Sequence, residues 1–188
     1  MIKLSRIGYL SEREQRLNGY FFLIWVPIVI VFALFTGGLV NAPKALLVQR
    51  YVFLGIYLTL GILPFLNSPF FKKWYGWCIA VVFTVRVLVG IHYVASIGFD
   101  FNVSASFMII FLISVLVIRS RVLLLLFGII TGTYFTILIF QSSLTQADIQ
   151  VKLFTFLFTF LLLASRTVID QMFKGYQKEA LSIAETKL

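Results

Sequence analysis

The sequence predicts an all-α membrane protein with six transmembrane helices, both termini cytoplasmic, and a last helix that continues into a cytosolic, coiled-coil-like exit helix. Three observations carry this prediction. First, 61% of the residues are hydrophobic and only 12% charged. Soluble domains run to about 25% charged and 45–50% apolar, and a soluble chain of 188 residues has too much surface for its volume to hide the excess. Second, the apolar residues fall in continuous runs near the roughly 20 residues a spanning helix needs, without the alternation of barrel strands. Third, the net charge of +9 is concentrated in the gaps between alternate runs.

Residues 1–19 are polar and charged, and they lack the short apolar core and small-residue cleavage site of a secretory leader. Ser11 and Glu14 have the spacing of a capping box, so a helix is expected to start there and feed the first span. Ahead of it, Ile2, Leu4, Ile7 and Leu10 form either an interfacial segment or a solvated tail. The spans expected within 20–166 are Tyr20–Val40, Val48–Leu66, Trp74–Ala95, Val103–Ile118, Val122–Phe140 and Val151–Ala164. Asn41 to Pro43 end the first and Pro64 to Pro69 the second. Arg119, Ser120 and Arg121 form a tight turn after the fourth, and Gln141 to Gln146 loosen the chain before the sixth.

With the N-terminus inside, the inner segments hold Lys3, Arg6, Arg13, Arg16, Lys72, Lys73, Arg119, Arg121, Arg166, Lys174, Lys178 and Lys187. The outer side holds Lys44, Arg50 and Lys152, with Asp100 and Asp148. Short loops are where a bias of this kind fixes orientation. Basic residues in such places argue for a lipid bilayer rather than nucleic acid as the partner. One cysteine, Cys78, allows no disulfide within the chain, and no metal or other cofactor is implied.

Arg86 lies near the centre of the third span, where a charge costs at least about 2.5–3.5 kcal/mol on insertion scales. No acid lies in any expected span. Either Arg86 receives an anionic or carbonyl-bearing ligand, or it is a structural arginine bonded to Tyr57, Tyr134 or threonines. Tyr93, seven residues on, returns to the same helix face. His92 is offset by about 120° and is a ligand donor, a pH-sensitive group or a packing residue. The outer end of the fourth helix carries Asn102, Ser104 and Ser106, of which the first two either cap its N-terminus or add donors at the mouth of a pocket. Trp25 and Tyr57 offer aromatic walls, although tryptophan near a membrane end also anchors at headgroups. The candidate ligand residues are therefore Arg86, His92, Tyr93, Tyr57, Asn102 and Ser104. Gly128, Gly132 and Thr136 form a row of small residues that lets a neighbouring helix approach closely, within the bundle or across a dimer.

The composition changes after Arg166. In 167–188 apolar residues recur at Ile169, Phe173, Tyr176, Ala180 and Ile183, in steps of four, three, four and three. That is the stripe of a parallel dimeric coiled coil. As a helix continuous with the sixth span, these 22 residues add about 33 Å. The chain ends in mid-pattern at Ala184 to Leu188, without a cap, and the expectation is that it is the membrane part of a longer protein.

Catalytic constellations are missing: there is no G-x-S-x-G, no H-E-x-x-H, no P-loop, and one histidine serves the chain. Short-looped spans, basic inner loops and the segment Arg166 to Leu188 together resemble the N-terminal membrane sensors of bacterial histidine kinases and class III nucleotide cyclases, including kinases that detect hydroxyketone autoinducers. The resemblance implies a homodimer in the bacterial inner membrane, a small-molecule ligand among the helices, a signalling helix after the sixth span, and a kinase or cyclase effector in cis. The competing expectation is a small transporter, facilitator or channel subunit. Such a protein has no use for a projecting stripe, and no internal repeat supports an inverted-repeat transporter. A structural assembly subunit is a third class, and would need a broad interface on its lipid-facing side.

Overall fold

In the computed structural model the described residues are 7–35, 44–66, 68–97, 110–142, 144–145, 148–150, 152–153, 156–157, 159–161, 165 and 175–176. Most of them are helical, with no strand among them. The elements are α1 (Glu12–Phe35), α2 (Lys44–Ile62), a 3-10 turn (Leu63–Phe65), α3 (Pro69–Ser96) and α4 (Arg121–Gln141). A further helical stretch covers 110–117, and helical positions follow at 148–150, 152–153, 156–157, 159–161, 165 and 175–176. Three segments are long and apolar enough to cross a membrane: Leu47–Phe65, Pro69–Ser96 and Arg121–Gln141. They coincide with the second, third and fifth expected spans.

α1 starts where the capping box places it. The Ser11 hydroxyl accepts the Glu14 N–H at 3.3 Å, and the Glu14 carboxylate accepts the Ser11 N–H at 3.1 Å and its O–H at 2.9 Å. Two backbone donors that a helix start leaves open are thereby satisfied. Pro27 sits inside α1. It has no N–H for the Leu23 carbonyl, so one intrahelical hydrogen bond is missing there.

α3 begins five residues before the expected Trp74. Pro69 opens the helix instead of breaking the chain: its fixed φ suits the first helical position, where no N–H is needed. The Lys72 N–H then donates to the Ser68 carbonyl at 3.1 Å. α4 begins at Arg121 with Ser120 as its N-cap, so the expected tight turn at 119–121 is a helix start. A second start went unread. The Thr145 hydroxyl accepts the Asp148 N–H at 3.2 Å and donates to its carboxylate at 2.5 Å. Helical residues are therefore already present at 148–150, ahead of the expected Val151.

The chain divides into two compact units, 1–86 and 87–188. In the first, α1 packs on α2 and on the 3-10 turn. A Cβ on Gly19 would stand 3.0 Å from the Gly61 carbonyl oxygen, so the two backbones approach at a point only small residues permit. The core is aromatic: Phe22, Tyr57 and Phe83 stack with centroids 5.6–6.0 Å apart, one from each of α1, α2 and α3. The Tyr75 hydroxyl donates to the Leu60 carbonyl at 2.7 Å, which meets its hydrogen-bonding need inside the packed layer.

Residues 7–10 pack on this unit instead of trailing into solvent. Leu10 is buried, and the Gly8 backbone lies directly on Gly76 and Trp77 of α3. Buried Gln15 donates its Nε2 to the Leu10 carbonyl at 2.8 Å and to the Lys72 carbonyl at 2.7 Å. One amide thus ties the leading segment, α1 and α3 together.

The second unit also has an aromatic core. Phe111 lies 5.5 Å from Phe127 and 4.8 Å from Phe156, and Phe156 stacks on Phe135 at 4.8 Å. Phe156 and Phe160, one helical turn apart, face the small-residue row of α4. Phe160 sits directly over Gly128, and a Cβ on Gly132 would be 3.5 Å from the Phe156 ring. This row is used for packing inside the unit.

Candidate functional site

Arg86 is carried on α3, an apolar helix of 28 residues, and belongs to the first unit. Its guanidinium lies 4.9 Å from the centroid of the Phe53 ring on α2, in cation–π geometry. Tyr57, one turn along α2 from Phe53, stacks on Phe83 of α3 at 5.6 Å, one turn before Arg86. Arg50, Phe53 and Tyr57 are spaced by three and four residues and therefore share one helix face. Among the described residues no carboxylate pairs with Arg86. Below it lies the Phe22, Tyr57 and Phe83 stack, which is buried.

The arrangement leaves the guanidinium partly satisfied. Aromatic faces and one hydroxyl offer negative potential, but they do not use the planar fork of donors an arginine presents. Such a group can take an oxyanion or carbonyl oxygen without a metal or cofactor.

Six residues further along the same helix, His92 belongs to the second unit. It is exposed, and its Nδ1 shares a hydrogen bond with the Tyr134 hydroxyl of α4 at 3.1 Å. Tyr134, expected as a partner for Arg86, is thus held by His92. Tyr93 is half-buried, and its carbonyl accepts from the Ser96 hydroxyl at 2.7 Å. Trp25 stacks on Phe21 of its own helix at 5.9 Å. Asn102, Ser104 and Ser106 lie outside the described residues, as do Ile169, Phe173, Ala180 and Ile183 of the stripe. Tyr176 is helical and 63% exposed.

Sequence reasoning passed over Arg50 and Phe53. Arg50 counts with the outer charges although it stands near the start of the expected span Val48–Leu66, and the structure places it well inside α2, which starts at Lys44. The register of 50, 53 and 57 was available as a signal, but it gains meaning only once Arg86 is known to face it.

Two shallow clefts of about 360 and 310 Å³ lie at the charged end of α1. They are lined by Glu12, Arg13, Arg16, Leu17 and Tyr20, and by Glu12, Gln15, Arg16, Pro64, Phe65 and Lys72. Glu12 bridges Lys72 at 2.7 Å there, and that ammonium holds the exposed carboxyl below its usual range.

No family model, curated protein or solved structure matches the chain.

Proposed function

We propose that this chain is a membrane receptor module of six transmembrane helices with both termini in the cytoplasm, in a bacterial inner membrane. A small anionic or carbonyl-bearing ligand binds at Arg86, and the last helix passes the signal to a cytosolic effector of the kinase or cyclase type. The observation that carries the reading is the Arg86 guanidinium, set in an apolar helix against Phe53 and Tyr57 with no acid beside it among the described residues. Placing a charge there is costly, and a charge that only packed would be replaceable by an apolar side chain at no loss. Ligand-dependent repacking around it would shift populations between two helix arrangements. The dimer expected from Ile169, Phe173, Tyr176, Ala180 and Ile183 would carry the change outward, and exposed Tyr176 fits an uncovered stripe.

The test joins a nucleotide-cyclase catalytic domain after Leu188 and reads cyclic nucleotide with hydroxyketones and short carboxylates as probes. Arg86→Met is expected to keep expression and dimerisation but lose the response. Arg86→Lys retains part of it, since lysine keeps the charge without the planar fork. A normal response from Arg86→Met overturns the reading.

A further inference from the structure

Arg86 does not act alone. Arg50 and Tyr57 are seven residues apart on α2, about 10 Å along the axis, and α3 meets that face through Arg86 on the Phe53 ring and Phe83 on Tyr57. In order along the first unit stand Arg50, then Arg86 over the Phe53 ring, then the buried stack of Phe22, Tyr57 and Phe83. Both arginines are half-buried, and neither has a carboxylate partner among the described residues. Arg50, one turn before Phe53, and Arg86, over its ring, are like charges on one apolar face, and their repulsion grows as the local dielectric falls. Folding tolerates such a pair where an anion takes the place between them, and the guanidinium fork matches phosphate and carboxylate oxygens.

We propose that Arg50 and Arg86 together form a site for a phosphate oxyanion, with the Phe22, Tyr57 and Phe83 stack as an apolar floor for whatever carries it. This deepens the receptor reading and rests on the same arginine. It also names the ligand chemistry: an anionic headgroup of the adjoining leaflet or a free phosphate compound. Arg50 is the rim contact that captures, and Arg86 the inner contact that holds.

The experiment places the full chain in nanodiscs. One arm uses pure phosphatidylcholine with added inorganic phosphate; the other replaces the lipid with phosphatidylglycerol and omits phosphate. Thermal unfolding and native mass spectrometry read stabilisation and bound anion. At least one arm is expected to stabilise the wild type, with binding weakened about tenfold in Arg50→Gln by loss of charge-assisted bonds. Arg50→Gln keeps a polar side chain near the helix end and so tests the site even if Arg86 variants fold poorly. Protection by phosphate identifies a free compound, and protection by phosphatidylglycerol alone identifies a headgroup. No protection in either arm, or equal protection of Arg50→Gln, overturns the site. The assay uses no effector, so its failure is separable from that of the receptor reading. A lost cyclase response in Arg86→Met without anion protection removes only the anion site, and anion protection with a normal response removes only the receptor.

Discussion

Glu12 and Lys72 show how one exposed pair sits on a buried scaffold. The contact is 2.7 Å, with both side chains open to water, so its contribution is small and screened by salt. The Lys72 ammonium lowers the Glu12 pKa, first by its hydrogen bond and then by its charge. A carboxylate depressed by folding stabilises the fold above its unfolded value and loses that effect as pH falls through its folded value. The thermal midpoint of the wild type should therefore exceed that of Glu12→Gln slightly at neutral pH, and the gap should close as pH drops below the ordinary carboxylate range. A gap unchanged under acid would mean that the pair contributes nothing by charge. Gln15 beside it is a different case, because its amide is buried and joins two carbonyls from separate segments. Asn18 lies on the same helix, 4% exposed, and its Nδ2 has no hydrogen-bond partner among the described residues. Ser11 and Glu14 were legible in sequence because a capping box is local. Gln15 and Arg50 were not, since what each does depends on a partner from another helix.

Helix contacts made through glycine separate two kinds of close approach. At Gly76 a Cβ would meet the Gly8 carbonyl oxygen, which is backbone and cannot turn aside. At Gly128 it would meet the far end of the Phe160 ring, which can. Alanine gains about 1 kcal/mol over glycine in a helix, whereas overpacking costs about 1–3 kcal/mol. Gly76→Ala should thus destabilise and release residues 7–10 from α3, whereas Gly128→Ala should stay within about 1 kcal/mol of wild type. Limited proteolysis ahead of α1 and thermal unfolding of both variants check this. Faster cleavage in neither variant would mean that the leading segment is not held by this contact. Element boundaries were legible wherever a hydropathy run ended on a local signal. They slipped at Pro69, where proline opens a helix, and at Thr145, where a threonine–aspartate cap extends one outward. In both places the signal lay in the sequence, but apolar content was the weaker guide to where hydrogen bonding begins.

At the scale of the whole chain, helicity and an apolar character are evident in both sequence and structure, because composition and run length fix them without tertiary detail. Orientation depends on a different physical quantity. Lys72 and Lys73 open α3, and Arg119 and Arg121 flank the start of α4. Both helices are apolar over their length, so these basic ends should lie on one side, retained by the cytoplasmic surface, with the far ends opposite. The proposed six-span arrangement requires both helices to start on the cytoplasmic side, with the fourth expected span, Val103–Ile118, returning the chain across the bilayer. Reporter fusions after Lys73, Arg121 and Leu188 should read cytoplasmic, and fusions near Asp100 and Asp148 extracytoplasmic. The decisive position is Asp148. Its cap with Thr145 is exposed and polar, as the start of an inward-running helix at a water interface would be. A cytoplasmic signal there would leave α4 uncrossed or doubled back, and the six-span arrangement would fall with it.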